Sequence, residues 1–508
     1  MRAKFSRRDF LKLVGLGAGG LSLPGCLGST KSLNKTNSAD KPNFVVIFTD
    51  DQGYNDLGCF GSKLIRTPNI DRMAAEGVRL TSFYTGAPLC APSRAAIMTG
   101  CYPQRVAQLP GPEEYFMSDC GDYQTILDGS EVTIAEVLRK VGYATMAIGK
   151  WHLSGSGYQA VGKDRSAEGV VRFRMLHPEL MPLRQGFDSY FGIPYSNDMH
   201  PSVLMRDNSF IEAPVKQEGL TTRYTDEAIR FIEHNRDRPF LLYLAHNMPH
   251  TPLYPSKKFE GKSPYGLYGD CVEEIDWNTG RIMQTLKELG IDENTLVVFT
   301  SDNGPWIEGG QRTPDNRASR LQSGTAAPLR GYKMTTWEGG PRVPCVMRWP
   351  GRLPAGRVSD EIATTMDLMP TLARLAGATE PQDRIIDGKD LMPLLTGKTD
   401  KGPHEAYYFY KHTILYAVRS GHWKLVLPRA ARPKELGWYG RLQEEVKELT
   451  LYNLDDDTGE TRNVASQHPD IVARLQSLLE KARRDLGDAN EPGRGRRKRA
   501  EGATSRQR

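Results

Sequence analysis

Short, wholly apolar runs alternate with amphipathic segments from residue 41 onward, and this alternation most narrows the folds open to the chain. A run such as 43–49, NFVVIFT, has no polar side, so both of its faces must be covered. Strands of that kind belong to parallel sheets with helices packed on both faces. The same character returns at 143–148, at 240–245 (FLLYLA) and at 296–300 (LVVFT). Helices are expected over 67–76, 92–99, 133–140, 224–235 and 269–289. Thr67-Pro68 makes a start signal for the first and Gly77 a stop, and Gly100 and Gly142 close the second and third. The fold class that follows is α/β, a large and mostly parallel sheet sandwiched by helices. Beyond about residue 395 the rhythm shifts to aromatic and alternating segments at 407–410 and 416–427, with a closing helix over 469–484. That pattern predicts a smaller C-terminal α+β subdomain with an antiparallel sheet. Stretches 154–185, 197–222 and 305–328, rich in Gly, Pro and polar residues, are expected as long loops that shape a substrate pocket.

Charge narrows the partners. The 508 residues carry a formal charge of +6. Residues 1–40 hold seven Lys or Arg against two acids, and the last twenty residues hold the same, which leaves roughly −4 for the body. A body without net positive charge excludes bulk nucleic-acid binding. The run Arg494, Arg496, Arg497, Lys498, Arg499 reads as a solvated basic tail. At the other end, Ser6-Arg7-Arg8-Asp9-Phe10-Leu11-Lys12 precedes a Gly-rich apolar stretch, the pattern of a twin-arginine (Tat) export signal. Leu23-Pro24-Gly25-Cys26 resembles a lipoprotein cleavage box, with Cys26 as the candidate lipidated residue. No other apolar run reaches the ~18 residues of a membrane span, so an exported, periplasmic or cell-surface protein is expected, touching a membrane only through that lipid. The seven cysteines show no CxxC pair and no zinc spacing.

Polar clusters fall where the strands end. Asp50-Asp51 follows the first run, Lys150 and His152 the second, His246 and His250 the third, and Asp302-Asn303 the fourth. In an open parallel sheet ligands bind at the carboxyl ends of strands, so these groups are expected on one edge. Either acidic pair alone also suits a turn or a helix cap. Together they gather several oxygen donors, a costly arrangement that a hard divalent cation would relieve, with calcium or magnesium favoured over zinc. Cys90-Ala91-Pro92-Ser93-Arg94 opens a helix, where backbone NH groups and the helix dipole favour an anionic centre. A cysteine there reads either as a reactive thiol or as a small buried residue.

CAPSR (90–94) is similar to the CxPSR signature of the type I sulfatases, the formylglycine-dependent arylsulfatase family of the alkaline-phosphatase-like superfold. The likeness continues through TDDQGYNDLGCFG (49–61), TGCYPQR (99–105), GYATMAIGKWHL (142–153), GIPYSND (192–198), PHTPL (249–253), TSDNGP (300–305), LRGYKMTTWEGGPRVP (329–344) and MDLMPTLARLAG (366–377). GIPYS looks most like the arylsulfatase A and N-acetylgalactosamine-6-sulfatase branch. These readings together divide the chain into a twin-arginine signal and linker at 1–40, a catalytic domain at 41–395 that the resemblance makes a sulfatase domain, a C-terminal subdomain at 396–486 and a basic disordered tail at 487–508.

The resemblance also implies the site. Cys90 would be oxidised to formylglycine by a maturation enzyme, and Asp50, Asp51, Asp302 and Asn303, with the formylglycine oxygen, would hold one Ca²⁺, Mg²⁺ being less favoured. Arg94 would stabilise the hydrated aldehyde. Lys150, His152, Ser196, His250 and Lys333 would surround the sulfate. A hydrated aldehyde attacks sulfur in line, with His250 the candidate acid for the departing alcohol and His152 the candidate base, although the two roles could be exchanged. His246 lies off the PHTPL motif and is read as structural. The expected substrate is a sulfated carbohydrate such as a galactose or N-acetylgalactosamine unit. A phosphomonoester or phosphodiester hydrolase of the same superfold and a non-catalytic glycan-binding protein are the competing readings.

Overall fold

Every residue of Asn43–Thr49 (β1) is buried, and the strand lies inside the sheet that the apolar runs build. The computed structural model describes residues 41–106, 127–154, 158–160, 173–175, 178–198, 202–307, 323–434, 440, 442–489 and 491–497. The expected export signal and Cys26 lie outside them.

The strands that follow are β2 (Val78–Tyr84), β3 (Ala144–Gly149), β4 (Tyr158–Ala160), β5 (Phe173–Met175), β6 (Ser189–Gly192), β7 (Leu204–Arg206) and β8 (Ser209–Glu212). Then come β9 (Phe240–Ala245), β10 (Thr295–Ser301), β11 (Arg342–Arg348), β12 (Arg357–Ser359) and β13 (Ala363–Thr364). Among the described residues eleven of these form one sheet in the order β12-β2-β11-β10-β1-β9-β3-β6-β7-β8, with β13 also paired to β2. The run from β10 to β6 is parallel. The strand β11 is antiparallel to both of its neighbours, and so β2 points the same way as the parallel core.

Alternation along β1 shows why both faces are covered. Phe44, Val46 and Phe48 pack into one core with Ile134, Leu138, Leu368 and Leu372. Val45 and Ile47 enter the other with Ile70, Met73, Tyr224, Val272 and Ile275. The helices behind these contacts are α1 (Pro68–Ala75), α2 (Cys90–Thr99), α3 (Ile134–Arg139), α4 (Leu220–Asn235), α5 (Leu267–Glu288) and α6 (Leu368–Leu375). Thr133 and Glu136 close a capping box at the start of α3. Gly100 ends α2 in the left-handed conformation, with φ of 69°.

Three expectations are corrected. The stretch 197–222 is not one loop: β7 and β8 form a hairpin across Asp207-Asn208 and extend the sheet edge, and α4 begins at Leu220. Stretch 154–185 contains the paired β4 and β5, while most of 305–328 lies outside the described residues. The basic tail expected from 487 folds back as far as Arg497. Gly487–Asp488 pairs with Glu491–Pro492, and the Arg497 guanidinium forks onto Glu131 at 2.7 and 2.8 Å. A carboxylate that is nearly inaccessible to water holds that arginine in place.

The C-terminal sheet is antiparallel, as expected, in the order β14 (Tyr407–Lys411), β15 (Ile414–Ser420), β16 (Trp423–Val426) and β17 (Thr450–Asn453). The expected segment 416–427 is a hairpin that turns at Gly421. A helix, Pro469–Leu486, covers this sheet through Leu475, Leu478, Leu479 and Ala482. Tyr84, Trp337 and Met366 of the larger unit join the same core.

Between the two sheets lies a buried ionic network. Lys424 Nζ meets Glu338 at 3.1 Å and Glu460 at 2.7 Å, and Arg342 reaches Glu338 at 3.1 Å. Burial alone would raise Glu338, yet Lys424, Arg419 and Arg342 hold it down at about 2. Its stabilising contribution is present above the ordinary carboxylate range and is lost as pH falls toward about 2. Removing one partner of such a network strands the others. Glu338→Gln is expected to lower unfolding free energy by roughly 3–5 kcal/mol at neutral pH in denaturant titration, with the gap narrowing under acid. An unchanged midpoint at pH 7 would contradict this account of the interface.

Candidate active site

The polarity of the sheet decides which loops meet. β1, β3, β6, β9 and β10 are parallel, so the residues after them, Asp50-Asp51, Lys150, Ser196, His250 and Asp302-Asn303, emerge on one edge. The strand β2 points the same way and delivers Cys90 at the first position of α2. Lys333 precedes β11, which runs the other way, so the chain approaching that strand also lies on this edge. Backbone hydrogen bonds fasten the loops together: Asp302 N to Thr49 O at 3.0 Å, Lys333 N to Pro305 O at 3.1 Å, Met334 N to Pro88 O at 2.7 Å, and Lys150 N to Ala245 O at 2.8 Å. The last of these needs Gly149. With φ of 96°, a Cβ there would sit 1.8 Å from Ala245 O.

The side chains then interlock. Cys90 Sγ lies 3.4 Å from Asp50 Oδ1 and 3.0 Å from Lys333 Nζ. Lys150 Nζ meets Asp50 Oδ2 at 2.6 Å and Ser196 Oγ at 3.1 Å. Arg94 donates to Asp302 Oδ2 at 2.7 Å and to the Lys150 carbonyl at 3.0 Å. Lys333 pairs with Asp51 at 2.7 Å, and Asn303 donates to Asp51 Oδ1 at 2.7 Å. His250 Nε2 is 3.6 Å from Asp51 Oδ2. Asp51, His152 and Met334 all adopt left-handed backbone conformations, with φ of 60°, 59° and 67°. Non-glycine residues pay for that geometry, and its clustering here marks a site whose positions the fold over-determines.

Burial governs the electrostatics. It would raise Asp50, but Lys150, His250, Arg94 and Lys333 pull that carboxyl well below its usual range. Burial and the Asp50 charge push Asp302 up, against Arg94. Burial also lifts the Cys90 thiol well above its ordinary value despite Lys150 and Lys333. An unmodified thiol here is therefore protonated and a poor nucleophile. His152 is driven well down, first by burial and then by Lys150 and Arg94, so its imidazole is neutral.

These residues suit a hard divalent cation. Asp50, Asp51, Cys90 and His250 each present a donor atom, all within 4.8 Å of one another. Asn303 Oδ1 is buried and meets no donor among the described residues. With Asp302, which shares Arg94 with Asp50, three carboxylates and one amide oxygen form an oxygen-rich set of the kind such ions prefer.

All the residues assigned from sequence to the metal and sulfate sites come to this edge, and other features were not foreseen. Asn197 donates to the carbonyls of His250 at 3.2 Å and Pro252 at 3.0 Å, so it positions the His250 loop. Asp198 is half-buried, and its carboxyl, which desolvation would raise, is held low by His250, Ser196 and Lys150. Both stand in the GIPYSND motif, beside the serine that the sequence did single out. His246 is buried against Tyr224 and burial lowers it to about 3. Among the described residues, no two of cysteines 59, 90, 101, 271 and 345 are joined in a disulfide.

Comparison with known proteins supplies the family. The family described as Sulfatase matches residues 42–378, and one described as N-sulphoglucosamine sulphohydrolase, C-terminal, matches residues 332–485. Steryl-sulfatase of Mus musculus is 38% identical over 462 residues, covering 75% of this chain and 70% of that protein. N-acetylgalactosamine-6-sulfatase of Rattus norvegicus is 35% identical over 503 residues, covering 90% and 88%. A solved structure from the study of multiple-glycosaminoglycan metabolism by Bacteroides thetaiotaomicron superposes with a TM-score of 0.72 at 28% identity, covering 87% of this chain and 99% of that one. The Sulfatase match spans the sheet, the cysteine helix and the carboxylates described above, and the chain belongs to the sulfatase family of sulfuric ester hydrolases.

Proposed function

We propose that the protein removes sulfate from the end of a sulfated carbohydrate, such as a galactose or N-acetylgalactosamine unit, using a formylglycine made from Cys90 and one Ca²⁺. The observation that carries this reading is the ring of Arg94, Lys150 and Lys333 around Cys90 and the carboxylates. Sulfate is a compact anion, and three buried cations converging on one nucleophile offer the charge its transition state needs.

A hydrated aldehyde at position 90 would supply an oxygen nucleophile in place of Sγ and a second hydroxyl for release of sulfate, and the cation would lower the cost of ionising it. The cation would be held by Asp50, Asp51, Asp302 and Asn303. Arg94, fixed by Asp302, would hold the hydrate at the start of α2, where the helix dipole adds its positive end. Lys150 and Lys333 bind the equatorial sulfate oxygens, with Ser196 oriented by Lys150. His250 faces the same cluster and donates a proton to the departing alcohol, while neutral His152 accepts one. The carbohydrate preference is supported by the N-acetylgalactosamine-6-sulfatase relative, which aligns with more of this chain than steryl-sulfatase does. We further propose Tat export, lipid attachment at Cys26 and a location at the periplasm or cell surface, with a formylglycine-generating enzyme as maturation partner.

Mass spectrometry of the Cys90 peptide, on protein made with a formylglycine-generating enzyme, should show a loss of roughly 18 Da in step with sulfate release from 4-nitrocatechol sulfate. A panel of sulfated sugars and steroid sulfates then decides the substrate class. Faster turnover of steroid sulfates would overturn the carbohydrate reading.

Cys90→Ser is expected to give no more than a single turnover, because the only hydroxyl of Ser becomes the sulfate ester and no second hydroxyl remains to expel the sulfate. Normal multiple turnover by that variant would defeat the mechanism. Chelation with EGTA should abolish activity, with Ca²⁺ restoring it better than Mg²⁺. Asp302→Asn should weaken Ca²⁺ binding by about tenfold or more in calorimetry, since one charged ligand is lost and Arg94 loses its partner.

A further inference from the structure

A small recess, partly open to solvent, lies between the catalytic edge and the C-terminal sheet. Leu89 and Pro92 line it on one side, flanking Cys90, and Met334, the neighbour of Lys333, lines it as well. Gln104, Tyr410 and Lys411 complete the other wall. The cavity therefore adjoins the sulfate site, and Tyr410 and Lys411 are contributed by β14 of the C-terminal sheet.

Two polar groups in that wall are unsatisfied. Lys411 is only 5% exposed, and its Nζ has no hydrogen-bond partner among the described residues. Its charged neighbour is a second cation, Arg429, which is already committed to Thr336 Oγ1 at 2.7 Å. Burial, with the like charge of Arg429, lowers the Lys411 ammonium to about 7. Across the cavity wall, Gln104 spends its Nε2 on the carbonyl of His412 at 2.9 Å and leaves Oε1 buried without a donor. A buried cation and a buried acceptor left unpaired are expensive, and native structures keep such groups where a ligand satisfies them. Much of the remaining lining is apolar, from Leu89, Pro92 and Met334, and suits the CH face of a sugar ring.

We propose that Lys411 is a specificity residue that binds a second anionic group, a carboxylate or a sulfate, carried by the same saccharide as the ester being cleaved, while Gln104 Oε1 accepts a hydroxyl of that saccharide. This rests on the carbohydrate-sulfatase reading above. Lys411 has no part in the bond-breaking step; it sorts substrates by their second charge.

The test compares kcat/KM within two matched pairs. One pair is a 6-sulfated uronate-containing disaccharide and its carboxyl methyl ester, and the other is N-acetylgalactosamine 4,6-disulfate and the 6-monosulfate. The wild type should favour the more anionic member of one pair by about tenfold or more, and that pair identifies the second anion as carboxylate or sulfate. Lys411→Met should reduce that ratio to within about twofold, and Lys411→Arg should retain most of it. Because Lys411→Met removes an unpaired buried charge, it should melt no lower than the wild type. Equal ratios in wild type and Lys411→Met, or a lower melting temperature for Lys411→Met, would overturn the proposal alone. Hydrolysis of 4-nitrocatechol sulfate by the wild type without release from any saccharide would overturn the carbohydrate reading and this proposal with it.

Discussion

Opposite charges held away from water at the edge of one sheet are what the rest of this structure serves. Asp50 is in contact with Lys150 at 2.6 Å and with Arg94 at 3.6 Å, and each of these cations has a further partner on the same edge. No member of the group can be moved without exposing another to an unbalanced charge in a low-dielectric setting. The residues that carry the charges come from four separate loops and from α2, so the balance is also what fixes those segments relative to one another. The left-handed backbones at Asp51, His152 and Met334 fit that description, since each is a local cost borne where the collective arrangement requires it.

The reversed strand β11 gives the C-terminal sheet a purpose beyond size. The segment that precedes it carries Lys333 toward the nucleophile and, five residues later, Glu338 into the ionic network with Lys424, Arg419 and Glu460. One short stretch of chain is thus anchored at both ends by charge. The C-terminal sheet holds the far anchor through Lys424, and displacement of that sheet would loosen the placement of Lys333. The same sheet contributes Lys411 to the adjoining cavity, which links the support of the site to the shaping of its entrance.

Much of this was legible from the chain. Runs with no polar face, such as Phe240–Ala245, can only be doubly covered strands, and the groups that follow them had to share an edge. The residues proposed for the metal and the sulfate followed from that rule and from the CxPSR resemblance together. What escaped notice was local structure whose signal is weak. The hairpin of β7 and β8 has mixed residues and an exposed outer strand, and its Asp207-Asn208 turn was passed over within a polar stretch. The folded end of the tail depends on Glu131, some 366 positions away in sequence, and no composition argument finds such a partner. Asn197 and Asp198 were missed for a related reason: their work is done on His250, a contact visible only when the loops are assembled.

The helix that begins at Cys90 is buried along its whole length, and the cysteine itself is 3% exposed beneath Lys333 and the carboxylates. A small molecule can enter such a place, but the active cleft of another protein cannot close around a residue so enclosed. Chemistry performed on this side chain by an enzyme therefore has a deadline: it must be finished while the segment is still an extended peptide. For the formylglycine proposed above, folding would be the step that ends access to position 90, and a chain that folded first would be sealed with its thiol intact.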